Sequence, residues 1–407
     1  MNQVTIEQLK RLKAFSFLND KLRDASSTSI SEIIEGVPSL VLGAGVSGCL
    51  IGSWTELLNE LAIIRCCDPS LQHRGIDEQV IRDFLVDTKS KRNKPVLPPS
   101  VNYLEQGEYL MYNENDIVEG YDPGQEIYWR EVFFSRMVLY AMNLLRARKT
   151  SGLNLADYFL AHYKEAAFVT LSAIVRLCVR KRFYKIIVYN FDTIIEELLA
   201  SEKVWKRFGE RTQKDRFKRI EIYGLDGRVE IPGITDLYRE SEEAIRFYHV
   251  HGVLHSKIKD IQPIIFSENS YQDYQLLPLN QGNVLLADAV YHSNVLTVGF
   301  SGNDPNFRAL GHALANKQRL STFQARNEEE GYRIYLSKAL TEVLSCYLPY
   351  DKDKRKYTLE KEKAAAAGAC TNMLITSMEL YYKHQIGTEV LWVADHEAFA
   401  EELKGSC

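Results

Sequence analysis

The sequence has no Cys-x-x-Cys pair, no run of about 18 apolar residues and no basic N-terminal segment followed by an apolar core. Its seven cysteines are odd in number and lack ligand spacing, so the sequence supports neither a disulfide framework nor a zinc ribbon. We therefore expect no metal site. The lack of a leader-like segment and of a long apolar run predicts a cytoplasmic protein that does not enter a membrane.

A strong excess of charge of one sign is also missing. The chain has 50 Lys and Arg against 54 Asp and Glu, a formal net charge of −4 over 407 residues. This balance argues against a protein that coats nucleic acid. Two basic stretches, residues 89–94 and 203–219, are interpreted as solvated segments, which such stretches form more often than nucleic-acid contacts. No cluster of metal-binding carboxylates accompanies them, and this disfavours a nuclease.

The usual dinucleotide fingerprint is incomplete as well. The apolar run Ser39–Leu42 predicts a buried parallel strand, which Gly43-Ala-Gly45 ends. Ser53-Trp-Thr-Glu56 then predicts a capping box at the start of a helix. Strand, glycine turn and helix can bring backbone N–H groups to a pyrophosphate, but the third glycine of the fingerprint is absent. The turn alone leaves a nucleotide site and an ordinary turn equally open.

Further strands and helices alternate along the rest of the chain. Apolar periodicity predicts an amphipathic helix within residues 1–30, packed on the core or on another subunit, and helices over 128–145, 153–179, 193–200 and 359–384. Thr193 and Glu196 form the capping box predicted for the third of these four helices. Strands are predicted at 185–189, 244–250, 263–266, 295–299, 332–336 and 389–393.

This order predicts a doubly wound, mostly parallel, Rossmann-like α/β sheet with a large helical insertion between its first two strands. The predicted domains are an N-terminal helical segment at 1–35, a Rossmann domain at 36–55 and 180–400, and an insertion at 56–179.

Four polar or glycine-rich loops follow predicted strands, at the sheet edge where such folds bind ligands. They are the Gly43 turn, Asn190-Phe-Asp192, His249-Val-His251-Gly252 and Gly299-Phe-Ser-Gly-Asn-Asp-Pro305. Each alone has an ordinary explanation, such as Asn or Asp capping the next helix, or Asp304 capping a helix that begins at Pro305. His249 and His255 are expected to face the sheet or solvent.

The order of these motifs resembles the sirtuin-like NAD-binding domain. The motifs are Gly43-Ala-Gly45-Val-Ser47, Asn190-Phe-Asp192, His251-Gly252, Phe266-Ser-Glu268 and Gly299-Phe-Ser301. The exact residues of the motifs, including Ser53-Trp-Thr-Glu-Leu-Leu58 and Ser267-Glu-Asn-Ser-Tyr271, look most like those of the prokaryotic antiphage-defence branch. The resemblance covers about residues 35–400.

The resemblance implies an NAD⁺ glycohydrolase that releases nicotinamide and ADP-ribose and acts in antiphage defence by NAD⁺ depletion. In that reading NAD is the substrate, Asn190 and His251 are catalytic, and Asp192 fixes its loop or a cofactor hydroxyl. Gly43, Ala44, Gly45 and Ser47 contact the phosphates, Gly299 and Ser301 border the adenine ribose, and Ser267 and Glu268 complete the cofactor site. It also implies a homo-oligomer gated by assembly with a partner, by analogy a HerA-type ring ATPase.

The departures from the family pattern disfavour one activity and leave others open. Protein deacylases of this family carry a four-cysteine zinc ribbon, whereas residues 253–262 contain no cysteine, which disfavours deacylation. Ser267 stands where deacylases have glycine, and Gly52 where defence relatives often have proline. The main alternative is a catalytically weak subunit that binds NAD or ADP-ribose and regulates or scaffolds an ATPase or nuclease. A nuclease or DNA-binding component, suggested by the basic stretches, is less favoured.

Overall fold

The structure is a computed structural model. It describes residues 2–27, 30–66, 86–87, 92–93, 126–209, 218–236, 243–266, 270, 281–300, 307–308, 333–351 and 354–405. The predicted site residues Ser267, Glu268 and Ser301, and the predicted cap at Asp304 and Pro305, lie outside the described residues. Most of the basic stretch 89–94 and part of the basic stretch 203–219 also lie outside them.

Eight of the described strands form one mostly parallel sheet in the order β13-β10-β9-β2-β5-β8-β6-β7. Three more form the antiparallel sheet β1-β12-β11, and β3 pairs with β4. In chain order the strands are β1 (Asn2–Val4), β2 (Ser39–Leu42), β3 (Val86–Asp87), β4 (Arg92–Asn93), β5 (Ile186–Val188), β6 (Arg219–Gly224), β7 (Gly227–Val229), β8 (Ala244–His249), β9 (Val295–Val298), β10 (Ile334–Ala339), β11 (Tyr350–Asp351), β12 (Lys356–Leu359) and β13 (Thr388–Val393).

Many α-helices accompany the sheet, so the predicted α/β, Rossmann-like fold class is confirmed. In chain order the described helices are α1 (Ile6–Lys10), α2 (Phe17–Ser27), α3 (Ile30–Ile33), α4 (Gly48–Ile51), α5 (Trp54–Cys66), α6 (Glu126–Thr150), α7 (Leu155–His162), α8 (Val169–Arg180), α9 (Ile194–Ala200), α10 (Glu202–Phe208), α11 (Gln281–His292), α12 (Leu340–Leu344), α13 (Ala364–Tyr381) and α14 (His396–Gly405).

The chain divides into two compact units, and the first comprises Met1–Gly43, Lys164–Ile187 and Gly282–Cys407. Its strands β2, β9, β10 and β13 pair in parallel, with Ser39 opposite Val295 and Ile334 opposite Thr388. Every residue of β2 and β9 is buried, which explains why three of the four residues in each strand are apolar. A second cluster of buried side chains includes Phe15, Leu344 and Trp392.

The second unit comprises Ala44–Tyr163 and Val188–Gln281. In it β6 pairs in parallel with β8 and in antiparallel with β7, and α6 packs against α4 and α5. The predicted capping box of α5 is confirmed. The Ser53 N–H donates to Glu56 Oε2 at 2.7 Å, and the Glu56 N–H donates to Ser53 Oγ at 3.3 Å. These two bonds satisfy backbone donors that the first turn of a helix leaves unpaired.

Several predicted elements differ in the structure. The helix predicted over 153–179 is interrupted between α7 and α8, where Ala166–Phe168 forms a 3₁₀ turn. The segment 263–266 is not a strand, although the Ile265 N–H donates to the His251 carbonyl at 3.0 Å. The helix predicted over 359–384 begins only at Ala364, because Lys356–Leu359 pairs with β1 as strand β12. This pairing joins residues more than 350 positions apart, and local periodicity carries no signal for it.

Candidate functional site

The glycine turn after β2 makes a close backbone contact in the first unit. The Gly43 N–H donates to the Val298 carbonyl at 3.0 Å. A Cβ atom at Gly43 would lie 2.5 Å from the Gly299 carbonyl oxygen and 2.8 Å from Phe300 Cα. Both obstacles are backbone atoms that cannot swing away, so only glycine fits this position. The structure therefore brings together two predicted site residues, Gly43 and Gly299.

Three other predicted residues form a continuous hydrogen-bonded chain in the second unit. The Ser47 hydroxyl donates to Asp192 Oδ2 at 2.8 Å, and Asn190 Nδ2 donates to Ser47 Oγ at 3.1 Å. Ser47 and Asp192 are buried, whereas Asn190 is half-buried. Asn190 thus stays partly exposed, while the bond to Ser47 fixes the orientation of its amide.

Burial is the main influence on the Asp192 carboxyl. It raises the pKa of Asp192 to about 6, even though the hydrogen bond from Ser47 favours the ionised form. The second carboxylate oxygen, Oδ1, accepts from the Ile194 N–H at 3.2 Å. Asp192 therefore caps helix α9 as well as joining the polar chain, so both interpretations of its role, loop fixation and site residue, retain support.

The capping box predicted from Thr193 and Glu196 is wrong. Thr193 makes no side-chain cap to the helix, and its hydroxyl donates instead to Glu197 at 3.4 Å. Glu196 contacts His249 in place of the helix terminus. Asp192 takes over the capping role because its carboxylate lies one residue nearer the preceding strand and reaches the free Ile194 N–H.

A small pocket lies beside the polar chain, also within the second unit. Its volume is about 40 Å³, room for a few water molecules, so an aromatic ring enters it only if a lining side chain moves. Ala44, a predicted phosphate contact, is among its lining residues, whereas Gly45 is exposed. The lining is Ala44, Ser47, Ile51, Gly52, Ser53, Trp54, Leu57, Met142, Asn190, Phe191 and Asp192.

Trp54 is a site residue that the sequence analysis did not assign. Its ring lies 5.9 Å from that of Phe191 and 4.9 Å from that of Phe266, and Phe134 packs on Phe266 at 5.2 Å. The half-buried indole therefore forms a wall of the small pocket that is backed by aromatic rings. The Ser53-Trp54 pair within the capping-box motif was the sequence signal that could have identified Trp54 as a site residue.

The buried pair of His249 and Glu196 supports the loop that carries Asn190. His249 Nδ1 donates to the Asn190 carbonyl at 2.8 Å, and His249 Nε2 lies 2.7 Å from Glu196 Oε1. Because Nδ1 faces a carbonyl and must carry a proton, a single further proton lies between Nε2 and the carboxylate. Burial opposes charge on the imidazole, but Glu196 prevails and raises the pKa of His249. His249 therefore belongs to the support of the site, facing neither solvent nor a bare sheet.

His251, the second residue predicted to be catalytic, is buried in the structure. Its side chain is only 2% exposed, packs edge-to-face against Tyr189 at 5.1 Å, and is not among the residues that line the small pocket. The following Gly252 has φ +95°, a conformation that favours glycine, and turns the chain there. The part of His251 in catalysis stays a prediction.

Comparison with known families gives one match. Residues 185–338 match the SIR2-like domain family. The matched span contains Asn190, Asp192, His251 and Gly299, covers less than half of the chain, and does not include the glycine turn at Gly43. The SIR2-like match supports a sirtuin-like family and indicates chemistry that involves NAD. A search of curated proteins found no match.

Two further observations concern metal ligands and long apolar helices in the described part of the chain. No three His, Cys, Asp or Glu side chains among the described residues are grouped so as to hold a metal ion. Within the same residues, every helix is too short or too polar to cross a membrane.

Proposed function

We propose that this protein is an NAD⁺ glycohydrolase. It hydrolyses the bond between nicotinamide and ribose and releases nicotinamide and ADP-ribose. The observation that carries the proposal is the hydrogen-bonded chain Asn190–Ser47–Asp192, which lies beside a pocket formed in part by the turn after Gly43. The SIR2-like match over residues 185–338 supports NAD as the substrate.

The reaction needs little help from an acid catalyst. Nicotinamide leaves as a neutral molecule because the breaking C1′–N bond returns its electron pair to the pyridinium nitrogen. Water then forms the new bond to C1′ and gives up one proton. The protein must orient the ribose, stabilise positive charge as it develops at C1′ and position the water.

Asn190 suits the orienting and water-positioning tasks. Ser47 holds its Nδ2, which leaves the amide oxygen to accept a hydrogen bond from a ribose hydroxyl or from the attacking water. His249 fixes the Asn190 backbone carbonyl from the opposite side. His251 is proposed as the base that takes the proton, and this requires its buried imidazole to become accessible when substrate binds.

The biological role we propose is antiphage defence through NAD⁺ depletion. It rests on the resemblance of the Ser53-Trp-Thr-Glu-Leu-Leu58 and Asn190-Phe-Asp192 wording to the prokaryotic defence branch. An NAD⁺-consuming enzyme must be silent in a healthy cell. The small pocket volume and the buried His251 fit a resting state, and we propose that assembly, as a homo-oligomer and with a HerA-type ATPase, switches it on.

The small pocket volume and the buried His251 also favour one alternative, a subunit that binds NAD or ADP-ribose without efficient hydrolysis. An experiment that separates them incubates the purified chain with NAD⁺, alone and with the proposed HerA-type ATPase partner, and quantifies both products. The glycohydrolase predicts nicotinamide and ADP-ribose in equal amounts in at least one of these conditions. NAD⁺ that binds but stays intact in both conditions would reject the glycohydrolase and support the binding subunit.

A further inference from the structure

A cleft much larger than the small pocket lies within the second unit. Its volume is about 650 Å³, and its walls come from α6, the start of α7, helix α9 and the loops around Ile234 and His255. It shares Ile51, Met142 and Asp192 with the lining of the small pocket. Asp192 therefore stands between the proposed reaction site and a second space that the proposed chemistry does not use.

One wall of the cleft carries a fixed carboxylate. Arg146 donates to both oxygens of Glu197, each at 2.7 Å, and Thr193 Oγ1 donates to Oε1 at 3.4 Å. A bidentate guanidinium–carboxylate pair of this kind has a defined orientation. A carboxylate has about four lone-pair sites, so Glu197 can still accept a hydrogen bond from the cleft side.

Beside it lies His255, whose second nitrogen is a donor with no acceptor within hydrogen-bond distance among the described residues. His255 is 7% exposed, and its Nδ1 accepts a hydrogen bond from the Lys257 N–H at 3.1 Å, so the imidazole proton resides on Nε2. That Nε2 lies 3.8 Å from Glu197 Oε1, which is longer than a hydrogen bond. Burial lowers the pKa of His255 and keeps the ring neutral near pH 7. An N–H donor and a carboxylate acceptor therefore lie side by side in the cleft wall.

A primary carboxamide complements such a pair, because its oxygen accepts one hydrogen bond while its NH₂ group donates another. We propose that the cleft binds a primary carboxamide, with the amide oxygen on His255 Nε2–H and the amide nitrogen on Glu197. The inference rests on the proposed function for the identity of that ligand, since nicotinamide is the carboxamide that the reaction releases on the other side of Asp192. The cleft is then a separate binding site for the departing product.

The direct test is calorimetric titration of the full chain with three probes in the absence of NAD⁺. Nicotinamide and benzamide both present a primary carboxamide, and both are expected to bind. Nicotinic acid lacks the NH₂ donor and places a second negative charge against Glu197, so its Kd should be at least about tenfold higher. Equal binding of nicotinic acid and nicotinamide would overturn the proposal without recourse to any variant.

Variants locate the site. His255→Phe should raise the Kd for nicotinamide about tenfold, whereas His255→Gln, whose amide can still donate, should retain most of the binding. His292→Phe, at an exposed histidine of the first unit, is the control and should leave binding unchanged. The melting temperature of each variant shows that it is folded. Unchanged nicotinamide binding in a folded His255→Phe protein would contradict the proposed site.

Failure of the proposed cleft site can be distinguished from failure of the proposed function. Asn190→Ala removes the proposed catalytic group but leaves the cleft wall intact, so this variant should bind nicotinamide as wild type does. Nicotinamide binding without NAD⁺ hydrolysis in any condition would reject the glycohydrolase and retain the cleft. NAD⁺ hydrolysis without nicotinamide binding at His255 would do the reverse.

Discussion

The Ser47 hydroxyl donates a 2.8 Å hydrogen bond to the carboxylate of Asp192, and both side chains are buried. The two residues are 145 positions apart in the sequence, so the fold brings the loop after the first strand of the large sheet to the loop after β5. The bond also orients Asn190 through Ser47 Oγ. The hydrogen bonds to the Asp192 carboxylate only partly offset its loss of hydration. The ionised group therefore lowers the free energy of unfolding, and the size of this effect depends on pH.

The first prediction concerns that pH dependence. Asp192 holds its proton up to about pH 6 in the folded chain, against a reference value of 3.8. Because the folded state binds more protons between these values, the free energy of unfolding falls as the pH rises through this range. Relative to Asp192→Asn, wild type should lose about 1 kcal/mol between pH 5 and pH 7, measured by urea unfolding at each pH.

Asp157→Asn serves as the control, because Asp157 is half-exposed and bonded to Lys203. Its stability difference from wild type should not grow as the pH rises between pH 5 and pH 7. A constant difference between wild type and Asp192→Asn over the same range would show that Asp192 is already ionised at pH 5.

The second prediction concerns the buried pair of His249 and Glu196. His249→Leu leaves Glu196 buried without its partner and should lower the free energy of unfolding by about 3–5 kcal/mol. The double variant His249→Leu with Glu196→Leu removes both charges and should be more stable than the single variant. Denaturant unfolding of the three proteins measures the difference.

The exposed pair of Lys203 and Asp157 provides the comparison for this cycle. Lys203→Leu should change the free energy of unfolding by at most about 1 kcal/mol, because solvent screens the pair. A double variant at 249 and 196 that is less stable than His249→Leu alone would mean that Glu196 has other essential contacts in the fold.

The third prediction tests the glycine turn. Gly43→Ala places a methyl group against the backbone of Gly299 and Phe300 and should cost about 1–3 kcal/mol, seen as a lower melting temperature. Gly48→Ala is the matched control, because nothing lies within 4 Å of the added Cβ at the start of helix α4. Helix propensity predicts that this control is at least as stable as wild type. Equal stability of the two variants would contradict the close approach at Gly43.

Local pattern was sufficient for much of the fold. The buried strand at Ser39–Leu42 and the capping box of Ser53 and Glu56 depend on neighbouring residues alone, and the structure has both as predicted. The motif order assigned Ser47, Asn190 and Asp192 to one NAD site, and the structure joins their side chains by hydrogen bonds that were not predicted. In contrast, β12 and its partner β1 depend on a pairing across almost the whole chain, which no local window contains.

The site itself was only partly predictable. Thr193 and Glu196 have the spacing of a capping box, but tertiary contacts with Glu197 and His249 take both side chains elsewhere. His251 follows a strand as predicted, yet packing against Tyr189 buries it, and side-chain direction after a turn is not encoded in spacing. The cleft beside His255 is built from several segments that are far apart in the sequence, which no single motif signals.

The most direct measurement of the central claim compares two asparagines. Asn190 and Asn19 each donate one side-chain hydrogen bond of 3.1 Å from Nδ2, but only Asn190 lies at the proposed reaction site. Nicotinamide release from NAD⁺ is measured for wild type and for each Asn→Ala variant, alone and with the HerA-type ATPase that we propose as a partner. We predict release by wild type, a loss of about 100-fold or more in Asn190→Ala, and little change in Asn19→Ala. Release by Asn190→Ala at the wild-type rate would contradict the account.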